Sequence, residues 1–172
     1  MFAGLNSGAG NKGQSGMSAL QGLTKGYAKP GRVTWIGLRP ERRADVAPVS
    51  EVFVGEDGLQ GDHGRPGKRA VTLVQAEHLG AIGSYLGQGA VDPKILRRNI
   101  VVEGINLVGL KRRVFRVGEA ELELAVICAP CSRMEEAFGK GGYSAVRGHG
   151  GWCASVVTPG RVAVGEEVVP IG

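Results

Sequence analysis

Two of the chain's three cysteines occupy one short segment, Cys128-Ala129-Pro130-Cys131-Ser132-Arg133-Met134. The apolar run Leu124-Ala125-Val126-Ile127 precedes it, so a strand is expected to end at Cys128 and a helix to begin just beyond. A thiol at such a junction meets the exposed N–H groups of the helix start, and Arg133 adds a positive charge. Both favour the thiolate. A thiolate can act as a nucleophile, a sulfur carrier or a soft metal ligand. It can equally be a small core residue, since free cysteine is among the most buried residue types. Cys131, set between a proline and polar residues, suits that inert role less than Cys128 does.

Two further readings of the Cys-x-x-Cys pair differ in what they require. A thioredoxin-like site needs βαβ units with long crossovers, and the strand-like runs here lie too close together. A zinc site finds four ligand types in Cys128, Cys131, His149 and Cys153, spaced C-x2-C-x17-H-x3-C. Against it, His149-Gly150-Gly151-Trp152 is no obvious knuckle, and a chain of this length can build a core without a structural metal.

A second cluster is the glycine-rich stretch from Gly58 to Arg69, which carries Asp62, His63, Arg65, Lys68 and Arg69. Backbone N–H groups and guanidinium forks in such a loop suit a phosphate or another anion. It lacks the G-x-x-x-x-G-K-[ST] spacing of a P-loop and opens no predicted helix, so a plain solvated loop fits it too. Arg97-Arg98-Asn99 and Arg147-Gly148-His149 also place cations beside turns, whereas Lys111-Arg112-Arg113 reads as a solvated strand edge. His78 is expected on the surface of a helix, while His63 and His149 lie in glycine turns and can approach a site. They form no triad with a serine, and no paired-carboxylate signature stands out.

The elements that must hold these groups are mostly short strands. Arg32 to Leu38, Val49 to Val54, Arg69 to Val74, Ile100 to Val102, Val114 to Val117, Glu119 to Leu124, Cys153 to Val157 and Arg161 to Val169 read as β-runs with turn residues between them. Such spacing, with glycine at the corners, reads as a barrel or sandwich. Three segments look helical. Gln75 to Leu86 places Leu79, Ile82 and Leu86 on one face, Asp92-Pro93 starts a turn through Arg98, and Ser132 is positioned to cap Arg133 to Phe138.

Composition agrees. Glycine supplies 30 of 172 residues, far more than helix interiors tolerate, which excludes a helical bundle. The net charge of +5 sits wholly in the first forty residues, where five cations meet no acid. From Glu41 onward the remaining cations and the sixteen acids balance, so no nucleic-acid face is implied, although a local basic pocket is compatible. No stretch approaches the ~20 apolar residues of a membrane span. The start lacks a secretory pattern, and an odd cysteine count without framework spacing makes the cytoplasm the expected compartment. Residues 1–28, rich in Gly, Ser, Asn and Gln, read as a flexible tail ahead of a single domain over 29–172. Met17 offers an alternative start within that tail.

Taken in order, these pieces resemble the MOSC domain, named after the C-terminal part of molybdenum cofactor sulfurases. The resemblance rests on Gly61-Asp62-His63, Arg69-Ala70-Val71, Leu96-Arg97-Arg98-Asn99-Ile100-Val101-Val102-Glu103-Gly104, Pro130-Cys131-Ser132-Arg133-Met134-Glu135 and Arg147-Gly148. It implies a mostly-β, closed or partly open barrel with two or three short helices. It also implies that Cys131 carries sulfur, or ligates the molybdenum of a molybdopterin-type cofactor in members that reduce N-hydroxylated compounds. Arg69, Arg98, Arg133 and Arg147 become candidates for the cofactor's phosphate, Asn99 for its pterin edge or the loop geometry, and Asp62 and His63 for supporting or proton-transfer roles. The resemblance is to a stand-alone, bacterial-type member, expected to work without a pyridoxal-phosphate sulfurase domain or a C-terminal iron–sulfur extension. A separate electron-donor protein or cysteine desulfurase is therefore expected as partner, with a small-molecule substrate and no nucleic acid or membrane.

Overall fold

A computed structural model describes residues 12–172 of the chain. The first eleven residues of the expected tail, and the Met1 start, lie outside the described residues. Residues Lys12–Lys25 form α1, within the stretch read as tail, and its Leu20 and Leu23 are exposed.

The strand pattern closes on itself. β1 (Gly31–Leu38) carries β2 (Ala47–Val49) on its edge, and β3 (Glu51–Gly55) turns back on β4 (Gly58–Leu59). After them come β5 (Val71–Gln75), β6 (Ile100–Glu103), β7 (Val114–Val117), β8 (Ala120–Ile127), β9 (Trp152–Thr158), β10 (Gly160–Ala163) and β11 (Glu167–Pro170). Seven of these form a closed barrel in the order β1, β11, β7, β8, β9, β5, β6 and back to β1. β2 stands outside it, and β10, β3 and β4 make a separate small sheet. Closure leaves the barrel strands no free edge.

All strand pairings are antiparallel except β5 with β6. Val71-Thr72-Leu73-Val74-Gln75 is buried at every position, as a strand covered on both faces must be. One face looks into the barrel, where Val33, Ile36, Leu73, Phe115 and Leu122 pack together. The other is covered by α2 (Ala76–Tyr85), α3 (Pro93–Leu96), α4 (Ser132–Phe138) and α5 (Gly142–Val146), through Val74, Leu79, Ile82, Leu96, Met134 and Val146. The predicted helical segments are thus α2, α3 and α4, with α1 and α5 in addition.

Three boundaries differ from the reading of the sequence. Val49 to Val54 divides at Ser50, because β2 belongs to the barrel edge and β3 to the small sheet. Arg161 to Val169 divides for the same reason, with Gly165 at φ 94° in the turn. Cys131, not Ser132, occupies the N-cap of α4, and its side chain makes no capping bond. The start of α3 is as expected: Asp92 accepts from the Lys94 N–H at 2.9 Å ahead of Pro93. Among the described residues no helix is long and apolar enough to cross a membrane.

Candidate functional site

A cavity of about 550 Å³ opens where the end of β1, the glycine-rich loop, the α3–β6 turn and the start of α4 meet. Eight arginines line it. Arg39, Arg42 and Arg43 come from the segment after β1, Arg65 and Arg69 from the glycine-rich loop, Arg97 and Arg98 from the turn before β6, and Arg133 from α4. No carboxylate shares the lining. Burial, then the charges of Arg39 and Arg133, pull the Arg97 guanidinium below its usual range, which is the mark of crowded positive charge.

One buried carboxylate underpins this array from behind. Asp62 Oδ1 accepts from the Arg39 backbone N–H at 2.6 Å and from Nε at 3.0 Å, while Oδ2 accepts from Nη2 at 2.6 Å. Burial alone would raise the Asp62 pKa, but the hydrogen bonds and charge of Arg39 outweigh it and hold the carboxyl below its usual range. Asn99, fully buried, ties three segments together. Its Oδ1 accepts from Arg39 Nη2 at 3.2 Å, Thr72 N at 3.1 Å and Thr72 Oγ1 at 2.9 Å, and its Nδ2 donates to the Gly37 carbonyl at 3.2 Å. Arg97 takes the left-handed conformation at φ 56° that ends α3, and its guanidinium donates to the Ala44 carbonyl. Arg98 donates to the carbonyls of Gly150 at 2.7 Å and Leu96 at 2.6 Å. These cations are fixed before any ligand arrives.

Cys128 and Cys153 lie on the floor of the same cavity, their sulfur atoms 3.2 Å apart. A hydrogen bond from Cys128 pulls the Cys153 thiol down against its burial, and Arg69, Arg98 and Arg39 add to the pull, to about 6. The same bond, with burial, pushes the Cys128 thiol up, so Cys128 is the partner that keeps its proton. Gly151 lets the strands approach here. Its φ is 89°, its carbonyl accepts from the Cys128 N–H at 2.9 Å, and an added Cβ would stand 2.0 Å from the Leu73 carbonyl oxygen.

The expected site residues distribute as follows. Arg69, Arg98, Arg133 and His63 line the arginine cavity, and His63 Nδ1 lies 2.7 Å from the Arg39 carbonyl, a contact that needs the proton on Nδ1. Asp62 and Asn99 stand behind the lining as positioning residues. Cys131 is exposed, on the stretch between the lining residues Ala129 and Arg133. Arg147 is elsewhere: it borders a smaller, more apolar cavity of about 190 Å³ with Trp152, Leu107 and Tyr143, which shares Cys128 with the arginine cavity. The four-ligand zinc set does not assemble. Cys153 meets Cys128, Cys131 faces outward, and His149 packs on His78 and Tyr85, with ring centroids 4.8 and 5.4 Å away. His78 is accordingly half-buried rather than a free surface residue. Arg39, Arg42 and Arg43 are lining arginines that the sequence reading did not single out, while Arg97 entered it only as a cation beside a turn and Cys153 only as a zinc-ligand candidate. The signal for the first three was their position at the end of a strand.

The sequence model of the MOSC domain matches residues 53–169. The chain belongs to the MOSC domain family. Among solved structures, this MOSC domain is similar to the YuaD protein of Bacillus subtilis, with a TM-score of 0.70 and 17% identity over 81% of this chain and 94% of that one. It is similar to YiiM of Geobacillus stearothermophilus at 0.68 and 18%, covering 83% and 76% of the two chains. YiiM of Escherichia coli aligns at 0.62 and 23%, covering 82% and 70%. No curated protein sequence matches the chain.

Proposed function

We propose that this MOSC domain binds a molybdopterin-type cofactor in the arginine cavity and reduces small N-hydroxylated compounds. The observation that carries this reading is a cavity of about 550 Å³ lined by eight arginines and no carboxylate, bordered by an exposed free thiol. Fixed guanidinium groups suit a phosphate group, which they can grip with paired N–H donors. When bound, the cofactor supplies the metal-centred oxygen-transfer chemistry.

The chain's own residues bind, orient and move protons. Arg69, Arg98 and Arg133 would hold the phosphate, with Arg98 already anchored on two carbonyls. Asp62 and Asn99 keep Arg39 aimed along the wall. Cys131 is the thiol available as a soft metal ligand, because Cys128 and Cys153 are engaged with each other. His63 lines the cavity with its Nδ1 proton on a carbonyl, and its Nε2 is the ring atom able to carry a proton. Reduction of R–NH–OH to R–NH2 and water consumes two electrons and two protons, the electrons coming from a separate donor protein.

The test is metal and pterin analysis of the protein purified from a cofactor-making host. Near-stoichiometric molybdenum and pterin are expected, with loss of the metal in Cys131→Ser. Protein that lacks both, and that reduces no N-hydroxy compound with a suitable donor, overturns the reading.

The exposure of Cys131 favours a second reading, a sulfur carrier loaded by a cysteine desulfurase. There the donor persulfide transfers its outer sulfur to Cys131, leaving a donor thiol and a Cys131 persulfide. Mass spectrometry after incubation with a desulfurase and cysteine would show an adduct of ~32 Da on Cys131, one sulfur atom. Its absence removes this reading.

A further inference from the structure

Cys128 and Cys153 have no part in either proposed reaction, yet the barrel brings them together. β8 and β9 pair antiparallel with Val126 opposite Cys153. Cys128 follows two residues later, on the same side of the pleat, and the Cys128 N–H to Gly151 carbonyl bond extends the pairing to it. The two side chains therefore meet diagonally across one face. Their sulfurs, at 3.2 Å, need to approach by only about 1.2 Å to reach a disulfide bond length. Both face a cavity lined by eight arginines and no carboxylate.

We propose that Cys128 and Cys153 form a two-electron dithiol–disulfide couple whose substrate is a small anionic disulfide held by the arginines of the cavity. Cys153 is the attacking thiol. Its sulfur displaces one half of the substrate, R–S–S–R, so that a Cys153–S–S–R bond forms, the substrate S–S bond breaks and R–S⁻ leaves. Cys128 then attacks the Cys153 sulfur, its proton passing to a departing thiolate. The Cys128–Cys153 bond forms and the second R–S⁻ leaves. The proton that Cys153 gave up to water is regained by that second thiolate. In balance, two protein thiols are oxidised and one disulfide is reduced to two thiols. The couple's chemistry uses only the chain's own thiols and arginines, and because Arg69 and Arg98 also serve the proposed cofactor, the disulfide is taken by the cofactor-free chain.

The thiolate character of Cys153, near 6, supports its role as attacker at neutral pH. Arg69 and Arg98, whose charges favour this thiolate, also line the cavity that the incoming anion enters. Closing the bond removes the thiolate from the cavity floor and leaves the pocket more positive.

The test uses the full chain with glutathione disulfide, which is anionic, and cystamine, a dicationic disulfide, followed by alkylation and tryptic mapping. Trypsin leaves Cys128 and Cys131 together in the peptide from Val117 to Arg133, and Cys153 in the peptide from Gly148 to Arg161. The expected product is these two peptides linked, ~2 Da lighter than their sum. The link should persist in Cys131→Ser. In Cys128→Ser it should give way to a glutathione adduct of ~305 Da on Cys153. Relative to the urea-unfolded chain, glutathione disulfide should gain about tenfold or more over cystamine at low salt, and the gain should shrink as salt rises. A link that vanishes in Cys131→Ser, adducts confined to Cys131, or equal gains for the two reagents would each overturn the proposal.

Discussion

Asp62 and Arg39 form a buried pair, with Oδ2 2.6 Å from Nη2 and the carboxylate side chain fully shielded from water. The carboxylate also accepts the Arg39 backbone N–H, so a single acid fixes both the chain path after β1 and the guanidinium on the cavity wall. Removing one member of such a pair leaves the other charge buried without compensation. Asp62→Asn should cost about 3 kcal/mol in urea unfolding.

Acid should reproduce part of that loss. The folded-state pKa of Asp62 lies below its ordinary 3.8, so its contribution is fully present above that value and is lost as pH falls through the folded pKa. In the wild type, stability should drop as pH is lowered below about 4, and Asp62→Asn should lack this portion of the drop. Parallel acid titrations of the two proteins, which would instead coincide in shape if Asp62 were unpaired, decide it.

Arg69 and Arg98 separate binding from stability. Arg69 is exposed, whereas Arg98 is half-buried and donates to the carbonyls of Gly150 and Leu96. Arg69→Ala should change stability by no more than about 0.5 kcal/mol, while Arg98→Ala should lose about 2 kcal/mol. Both should weaken pyrophosphate binding several-fold in calorimetry, and the wild-type affinity should itself fall with salt. Full-strength binding in Arg69→Ala would remove that arginine from the anion site.

Much of the barrel was legible because its strands are local patterns. Ile100-Val101-Val102 and Glu119 to Leu124 announce themselves by β-branched or alternating residues and end at turn residues. α5 was not legible because it has only five residues, opening on Gly142 after a Gly141 N-cap, too few for a period to show. The candidate site was legible in part. Arg69, Arg98 and Arg133 could be picked out beside turns. Arg39, Arg42 and Arg43 were hidden in a count of charge along the chain, since such a count cannot see which loops converge. The pairing of Cys153 with Cys128 was hidden for a similar reason. The two lie 25 residues apart, and only the register of β8 on β9 brings the sulfurs together.

Gly151 is the backbone element on which that register depends. Its φ of 89° disfavours any other residue, and a Cβ would sit 2.0 Å from the Leu73 carbonyl oxygen of β5. Gly151→Ala should therefore push β9 from β5 and destabilise the fold by a few kcal/mol. Hydrogen exchange should show the loss of protection concentrated at the β5–β9 pairing. Wild-type exchange rates there would count against this role.

The three cysteines should divide according to burial. Cys131 is exposed and its side chain makes no capping bond to α4, so serine replaces it with nothing lost in packing. Cys131→Ser should melt within about 2 °C of wild type, a shift that corresponds to a few tenths of a kcal/mol, yet lose molybdenum or sulfur loading. Cys153 is buried and bonded to Cys128, so serine there trades a sulfur for a smaller, more polar oxygen. Cys153→Ser should cost about 1 kcal/mol, with Cys128→Ser costing less because Cys128 is only half-buried. Melting curves and metal analysis on the three variants test both halves at once. Large destabilisation by Cys131→Ser, or metal loading unaffected by it, would return the search for the metal ligand to the other two cysteines.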